Sequence, residues 1–394
     1  MNVIIGAGIS GLTIGYLLHK KNEDYIIFER EEPGGWCRTY EINKFRFDAG
    51  GHFFHSMDES IESLIGDIGV DMHRVERRAF VYWNKSLISY PIQSNIAQFN
   101  FNERFFASFS YIFRSRKTPE NLKEFFMTKT GRFLCDRFLY GYNKKMWGKN
   151  PEKLPPYFLG RYFPETSLFA PRKQTGYNPV FFYPSQGIGE VIKGFLKKGV
   201  RIKKGNLEKV GEGKVRVGGR WIRYRNLYLT IPLPEIIKIS PFLKEFREYP
   251  FDYVGMKILL LGVKGKLINN AHWIYFAQDN LPFTRVGSFT NISKEMSPGG
   301  YSSIWIEVPV RNKIPEDRSI IDAIKSTGLL RGKVLFTRSL HFPYAYPIRD
   351  DVTDMVVKEI EGILKRRGIY LSGRFARWEY NTMSDSIKRG MELV

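Results

Sequence analysis

The sequence predicts an α/β protein that begins with a strand, a glycine-rich loop and a helix. Residues 2–5 are an apolar run typical of a buried strand, and they lead directly into the glycine pattern of Gly6, Gly8 and Gly11. An apolar repeat at helical spacing follows, and then a second strand that ends at Glu29. A strand, a glycine loop, a helix and a second strand within about 30 residues form a βαβ unit.

Each glycine of this loop has a mechanical role in binding a dinucleotide. Gly6 allows the tight turn, Gly8 lets the backbone approach a pyrophosphate, and Gly11 lets the helix pack close to the strand. The helix N-terminus offers free N–H groups and a positive dipole to the phosphates. Glu29 is placed to accept the ribose hydroxyls. An acid at this position disfavours a 2′-phosphate, so the pattern favours FAD or NAD over NADP.

The rest of the chain contains a helical stretch and several strands. From about residue 96 to 157 the pattern is helical and rich in aromatic residues. Most of the phenylalanines and tyrosines of the chain are expected in the core, and a minority in a pocket for a flat ring or a sugar. Strands are predicted further along the chain, at 200–232, 254–263, 272–276, 302–308 and 369–371, the last preceded by a helix over 350–367. Because the two ends are typical of nucleotide binding and the middle is not, the domains are expected to interleave.

The composition narrows the class of protein. A chain of 394 residues with 43% hydrophobic residues can bury a large core, and it is long enough for two or three domains. Its formal charge of +21 suits polyanionic partners, but the basic residues are dispersed, which favours a solvated basic surface. Cys37 and Cys135 neither cross-link a fold nor make a metal site. The start lacks a basic n-region, and the apolar runs are too short for a membrane span, so a cytoplasmic protein is expected.

The residues after Glu29 separate FAD from NAD. Residues 30–39 contain a second glycine pair and Arg38, and residues 47–51 read Phe-Asp-Ala-Gly-Gly. This arrangement resembles the amine-oxidase-type flavoprotein superfamily, in which the second glycine loop and the arginine approach the FAD phosphates. NAD-dependent dehydrogenases have no such second loop. The resemblance therefore implies FAD as the cofactor.

Further motifs resemble UDP-galactopyranose mutase, closest to the eukaryotic-type enzymes, over nearly the whole chain. The matching stretches follow the family's order and approximate spacing. Residues 47–54 match the segment beside the flavin ring, residues 89–95 the segment on the uracil side, and residues 141–148 a Tyr-Asn-x-Lys-x-Trp-like element. The other matching stretches are 181–189, 273–275, 282–285, 346–347 and 373–380. The chain departs from the family at Ile292, where the family has a tyrosine shortly after its second arginine. One polar contact to the ligand is therefore missing.

The resemblance implies roles for individual residues. Catalytic roles fall to His52, Arg161 and Arg285, and the two arginines hold the diphosphate, which bidentate guanidinium groups do better than lysines. Cofactor-binding roles fall to Gly6, Gly8, Gly11, Glu29, Arg38, Gly51, His52, Arg374 and Met383. Substrate-binding roles fall to Tyr90, Gln93, Asn143, Trp147, Arg161, Asn178, Tyr275, Arg285, Tyr346 and Tyr380. No metal site is implied.

The same resemblance implies the architecture: a Rossmann-type FAD-binding domain with a helical insertion and a substrate-facing, mainly antiparallel sheet. The FAD-binding domain is expected to combine residues 1–85, 185–245 and 340–394. The helical domain is expected over 96–160. The substrate-binding sheet is expected to combine residues 86–95, 161–184 and 246–339.

The activity implied is that of a flavin-dependent isomerase that interconverts UDP-galactopyranose and UDP-galactofuranose, or a related UDP-sugar, on reduced FAD. In such an enzyme the flavin N5 attacks the anomeric carbon and displaces UDP, the sugar recloses through a different oxygen, and UDP returns. NAD(P)H or another reductant is expected to reduce the flavin, and an oligomer is compatible with the resemblance; nucleic acid is not an expected partner. Two alternatives stay open. One is an FAD-dependent oxidase of amine-oxidase or protoporphyrinogen-oxidase type, and the other is a non-enzymatic nucleic-acid-binding protein that uses the +21 charge.

Overall fold

The computed structural model describes residues 1–164, 166, 179–311 and 313–394, and for Arg161 its backbone alone. The strands in this part of the chain are β1 Asn2–Ile5, β2 Tyr25–Glu29, β3 Thr39–Ile42, β4 Phe45–Asp48, β5 His73–Glu76, β6 Ala79–Trp83, β7 Ser86–Ser89, β8 Val180–Tyr183, β9 Ile202–Lys204, β10 Leu207–Gly211, β11 Lys214–Val217, β12 Arg220–Arg223, β13 Asn226–Leu229, β14 Tyr253–Leu267, β15 Trp273–Tyr275, β16 Arg285–Ser288, β17 Ser302–Val310, β18 Leu330–Pro347 and β19 Ile369–Leu371. The helices are α1 Ile9–Lys20, α2 Glu59–Asp67, α3 Phe101–Ile112, α4 Leu122–Thr130, α5 Arg132–Leu134, α6 Tyr140–Trp147, α7 Gly189–Lys197, α8 Leu233–Ile239, α9 Asp317–Ser326, α10 Asp351–Lys365 and α11 Met383–Met391, with one π-helical segment, Cys135–Leu139, between α5 and α6.

A five-stranded parallel sheet contains the glycine loop. Its strand order is β19-β13-β1-β2-β9, and every pair of neighbours is parallel. All four residues of β1 are buried, as expected for a parallel strand that has helices on both faces. Helix α1 follows the loop and packs against α7 and α11. The predicted Rossmann-type unit is confirmed, and so is the short strand predicted at 369–371.

A second sheet of seven strands is mainly antiparallel, as predicted. Its order is β18-β14-β17-β16-β15-β6-β7, and only the β15–β6 pair is parallel. Strand β14 is the long central member, and it pairs with β17 on one side and β18 on the other. The division of the chain into domains stays a prediction. Its first boundary, residue 85, falls between β6 and β7, which pair with each other in this sheet.

The helical region consists of α3 to α6. Asn100 and Asn121 cap α3 and α4, each accepting a hydrogen bond from a backbone N–H in the first turn. Gly131 ends α4 at a φ of +78°, where a Cβ atom would lie 2.3 Å from a backbone oxygen of α3, so only glycine fits. The Lys145 Nζ on α6 donates to three backbone carbonyls that flank β15 and β16, at 2.6 to 3.2 Å. This lysine fixes the helical region on the seven-stranded sheet.

A buried carboxylate ties the first part of the chain to the segment that enters α7. Asp48, which is fully buried at the end of β4, accepts hydrogen bonds from the Thr39 hydroxyl at 2.6 Å and the Tyr183 hydroxyl at 2.5 Å. It also accepts from the backbone N–H of Ile188 at 3.2 Å. Burial raises the pKa of Asp48 to about 7, although these hydrogen bonds lower it.

Among the helices that the structure describes, none combines the length and the apolar character needed to cross a bilayer.

Candidate active site

Two cavities meet inside the molecule. The larger, of about 790 Å³, extends from the glycine loop to the seven-stranded sheet. The smaller, of about 170 Å³, lies between α6 and that sheet and is lined largely by aromatic side chains. Five residues line both cavities and form a shared wall, namely Tyr162, Arg285, Glu307, Tyr346 and Tyr380.

The glycine loop forms one end of the larger cavity. Gly6 lies at a φ of +99°, and a Cβ on Gly11 would be 2.0 Å from the Gly6 carbonyl oxygen, so both glycines are required by the turn and by helix packing. Gly8 differs from them, because a Cβ there would meet no protein atom within 4 Å. Gly8 is also the N-cap of α1 and lines the cavity. The backbone of this helix terminus is therefore open to a ligand.

Glu29 and Arg38 line the same end of the cavity. The Glu29 carboxylate accepts hydrogen bonds from the backbone N–H of Ala7 at 2.7 Å and of Glu31 at 3.0 Å, which fixes it at the end of β2. The Arg38 Nε donates to the Gly35 carbonyl at 3.0 Å, and Arg38 Nη2 lies 3.5 Å from a Glu31 oxygen. The two predicted dinucleotide-binding residues are thus held beside the glycine loop.

The loop after β4 carries the predicted histidine. His52 lines the larger cavity, and its Nδ1 is buried without a hydrogen-bond partner among the described residues. Burial, reinforced by the charges of Arg374 and Arg285, lowers the His52 pKa to about 3, so its imidazole is neutral. Its ring lies edge-on to Trp36, with 5.7 Å between ring centroids. A neutral imidazole with a free ring nitrogen can hydrogen-bond a bound ring without adding charge.

Arg285 is held by Glu307, its direct partner across strands β16 and β17. Arg285 Nε and Nη2 donate to the two carboxylate oxygens at 2.7 and 2.6 Å, and the Gly51 N–H donates to the same carboxylate at 3.2 Å. Burial is the largest single cause and lowers the Arg285 pKa, but the charge and hydrogen bonds of Glu307, together with Tyr346 and Tyr275, outweigh it and hold that pKa well above its usual value. Two of the three guanidinium nitrogens of Arg285 thus bind Glu307, and its predicted role at a diphosphate stays a prediction.

Arg374 supplies cationic donors on the cavity surface. Its guanidinium lies over the rings of Tyr346 and Tyr380, at 4.6 and 4.7 Å from their centroids. Its Nε and Nη2 are buried and have no hydrogen-bond partner in the part of the chain that the structure describes. Unpaired buried donors on a guanidinium are costly unless a ligand satisfies them. Met383, at the start of α11, lines the same cavity and lies 3.6 Å from Cys37, sulfur to sulfur.

The smaller cavity contains most of the predicted substrate-binding residues. Tyr90 and Tyr275 face each other with ring centroids 4.7 Å apart. The Gln93 side chain donates to the Pro164 carbonyl at 3.0 Å. The Trp147 indole N–H donates to Asn143 Oδ1 at 3.0 Å, so each of these two side chains fixes the other. Trp147 lies edge-on to Tyr346 and Tyr380, which connects the small cavity to the shared wall.

Two predicted residues are not located. Asn178 lies outside the described residues, and so does the side chain of Arg161, whose backbone is in the 3₁₀ turn Gly160–Tyr162. Their predicted roles stay predictions.

The residues at this site that the sequence analysis missed include Tyr162 of the shared wall and three others. Glu307 is one, although a single acid within the otherwise uncharged strand β17 is a signal that could have found it. His55 is another: it lines the larger cavity, and its Nδ1 lies 2.8 Å from Arg77 Nη2, where it can accept a hydrogen bond. Lys145, which fixes α6, is the third.

Three histidines, hereafter the buried histidines, share one property. They are His52, His55 and His272. Burial is the main cause that lowers the pKa of each to about 3. His272 accepts a hydrogen bond from the Arg78 backbone N–H at 3.2 Å and lines neither of the two cavities. Among the described residues no group of three histidine, cysteine or acidic side chains could hold a metal ion.

A family model and a solved structure both match this architecture. Residues 4–67 match the family model of the NAD(P)-binding Rossmann-like domain. A crystal structure of reduced UDP-galactopyranose mutase aligns with 100% of this chain and 94% of its own, with a TM-score of 0.90 and 22% sequence identity. The predicted fold class is therefore confirmed over the whole chain.

Two curated mutases match part of the chain. The dTDP-fucopyranose mutase of Escherichia coli is 27% identical over 204 residues, which are 45% of this chain and 52% of that protein. A probable UDP-galactopyranose mutase of Klebsiella pneumoniae is 27% identical over 176 residues, which are 40% of this chain and 44% of that protein. The chain thus spans about half the length of the curated relatives it matches. The resemblance drawn from the motifs is confirmed by these matches.

Proposed function

We propose that this chain is a flavin-dependent mutase of nucleoside-diphosphate sugars. Its preferred reaction is the interconversion of UDP-galactopyranose and UDP-galactofuranose on reduced FAD, in the cytoplasm. The observation that carries the proposal is the shared wall. A dinucleotide-sized cavity and an aromatic cavity meet at an arginine, a glutamate and three tyrosines, and Arg374 lies over two of those tyrosines.

The residues of the larger cavity fit FAD. Its volume of about 790 Å³ is within the range of cofactor pockets, which extends to about 1,000 Å³. Gly8 leaves room at the helix N-terminus for a pyrophosphate, and Glu29 is fixed where it can accept ribose hydroxyls. His52 Nδ1 can bond the flavin ring. Reduced FAD, when bound, supplies the nucleophilic ring nitrogen N5 that reacts with the anomeric carbon.

The shared wall suits a diphosphate. Arg285 is a fixed cation in this wall, and its largely buried guanidinium lies in a low-dielectric environment where charged hydrogen bonds are strong. Arg374, whose predicted role is to bind the cofactor, lines the larger cavity beside the wall, and two of its buried nitrogens have no hydrogen-bond partner among the described residues. Burial raises the pKa of Tyr346, so its hydroxyl stays protonated and can donate to a phosphate oxygen. Because UDP is also the leaving group, donors here stabilise the charge that develops as the glycosidic bond breaks.

The smaller cavity suits a planar base or a sugar ring. Tyr90 and Tyr275 line it with aromatic rings, and an amide such as that of Gln93 can hydrogen-bond a base. Lys145 fixes the helix that closes this cavity, which excludes water from the reacting bond. The protein's contribution is thus binding, orientation and charge stabilisation.

Product analysis tests the proposal. Protein reduced with dithionite, NADH or NADPH is incubated with UDP-galactofuranose, and in parallel with dTDP-fucofuranose, and the products are separated by chromatography. We expect conversion to the pyranose form with reduced protein only, and the better substrate identifies the sugar nucleotide. Equal activity of oxidised protein would contradict the use of reduced flavin. No conversion of either substrate, together with oxygen consumption on an amine, would transfer the assignment to the oxidase alternative.

A further inference from the structure

Helix α3 exposes an unusual apolar surface. Among the described residues, six of the sixteen large hydrophobic side chains that are exposed belong to α3 and the residue after it, and their exposed fractions are 52 to 74%. We call them the phenylalanine stripe, which comprises Phe101, Phe105, Phe106, Phe109, Ile112 and Phe113. Single exposed apolar residues are ordinary, but a contiguous patch of this kind marks an interaction surface.

The stripe points away from the body of the protein. Phe101, Phe105, Phe109 and Phe113 recur every four residues and therefore lie on one helix face. Ala107 is the only buried residue among those described in α3, and at 100° per residue it lies on the opposite face. The expectation that the aromatic residues of this region are mostly core is thus wrong for α3, because the helix packs through its small residue.

The rings of the stripe form a continuous surface. Ring centroids are 4.5 Å apart for Phe109 and Phe113, 6.2 Å for Phe105 and Phe109, and 5.7 Å for Phe105 and Phe106. The surface extends to Phe133, whose ring lies 6.5 Å from that of Phe106. It is therefore an apolar face about one helix long.

Cationic side chains accompany this face. Between residues 101 and 137 the sequence has eight basic and four acidic residues, a net charge of 8 − 4 = +4. The exposed basic residues are Arg104, Arg116, Lys117, Lys129, Arg132 and Arg137. Two of the acids are already engaged: Glu103 accepts from Trp83 and Asn84, and Asp136 pairs with Arg132 at 3.2 Å. The face is thus apolar and its margin is positive.

We propose that the phenylalanine stripe docks this protein on the surface of a bilayer that contains anionic phospholipids. Phenylalanines on one face of a helix, flanked by arginine and lysine, are the composition of helices that lie in the headgroup region of a membrane. Anionic headgroups complement both the +4 of this region and the +21 of the chain. A second copy of the chain would instead bring a like-charged margin against this one.

Vesicle co-sedimentation of the full chain tests the proposal. Vesicles of phosphatidylcholine alone are compared with vesicles that also contain about 30 mol% phosphatidylglycerol. We expect binding to the anionic vesicles that weakens when the salt concentration is raised to about 0.5 M. The variant Phe105→Ser/Phe109→Ser/Phe113→Ser should lose at least about tenfold in partitioning, because the buried apolar area is removed.

A matched control carries three serines at exposed apolar positions elsewhere, Trp221, Leu335 and Val352, which are 44 to 54% exposed. It should sediment with vesicles like the wild type, and circular dichroism should show that both variants are folded. The proposal is wrong if the wild-type protein does not bind anionic vesicles, or if the stripe variant binds them as well as the control does. If the wild type is a dimer that ignores vesicles and the stripe variant is a monomer, the stripe is a self-association surface instead.

Discussion

Replacing Glu307 by glutamine tests the ion pair at the shared wall. Glutamine keeps the shape but not the charge, so Arg285 loses one of its two strong acceptors at 2.6 and 2.7 Å. The two side chains are only 18% and 5% exposed, so water compensates poorly for the lost partner. A hydrogen bond between charged groups contributes about 1.5–3 kcal/mol. We expect the free energy of unfolding to fall by about that amount.

The same substitution should act differently on ligand binding. Without the carboxylate, Arg285 carries more uncompensated positive charge towards a diphosphate, so UDP affinity should stay the same or rise. Turnover should fall, because the guanidinium is no longer fixed where the leaving group develops charge. If the full 1.5–3 kcal/mol is lost in the transition state, the decrease is about 10- to 150-fold.

Three measurements separate these effects: urea unfolding, calorimetric titration with UDP, and turnover with UDP-galactofuranose. Arg285→Ala serves as the comparison, since it removes the donor itself and should weaken UDP binding about 10- to 150-fold while FAD stays bound. If Glu307→Gln weakens UDP binding as much as Arg285→Ala does, the carboxylate contacts the ligand and our reasoning is refuted. If Glu307→Gln has the stability and the turnover of the wild type, the ion pair has no role in either.

Other substitutions have equally definite outcomes. Gly8→Ala should leave the stability of the apo-protein unchanged, since its Cβ meets no protein atom, but should abolish flavin absorbance after reconstitution. Gly11→Ala should instead destabilise the fold itself. Gly8→Ala protein that remains yellow would exclude Gly8 as the site where the backbone receives the pyrophosphate. Arg374→Met should preserve or raise the stability of the apo-protein, because it removes unpaired buried donors, yet weaken the binding of FAD, its predicted ligand, about 10- to 150-fold. A loss of stability without a loss of affinity for FAD would assign Arg374 a structural role. In the folded protein the buried histidines stay neutral until the pH falls to about 3, whereas in the unfolded chain they bind protons near pH 6.5. Asp48 has the opposite effect, because between about pH 4 and 7 it is protonated in the folded protein and ionised in the unfolded chain. Unfolding should therefore take up about two net protons, so urea titrations should show a free energy of unfolding that is lower at pH 5 than at pH 6 by about 3 kcal/mol, and by about half as much in His272→Gln. A flat profile would contradict these protonation states.

The glycine loop was predictable because its chemistry is local. A tight turn, an open helix terminus and close helix packing each demand glycine at a fixed offset, so Gly6, Gly8 and Gly11 follow from spacing alone. The predicted strands followed from alternation and apolar runs for the same reason. The confirmed Rossmann-type unit is therefore the part of the fold that the sequence specifies most directly.

The partners of Arg285 and the direction of α3 were not predictable in this way. Arg285 meets Glu307 only because β16 and β17 pair in one register, and that register depends on the whole sheet. The periodicity of α3 indicates an apolar face but not whether that face meets the core or the solvent. Ala107 decides the packing, and a single small residue gives no signal in a pattern analysis.

The order of strands in the parallel sheet has a consequence for biogenesis. Strand β1 pairs with β2 as soon as both are made, but its other neighbour is β13 at Asn226–Leu229, and β19 at Ile369–Leu371 must still join. At about 5–20 residues per second, one edge of β1 stays unpaired on the ribosome for roughly 10–45 s. Arg374 and α11 are translated later still. The free edge of β1 is therefore open to edge-to-edge association until β13 has been made, and the lining of the larger cavity is complete only once translation has reached α11.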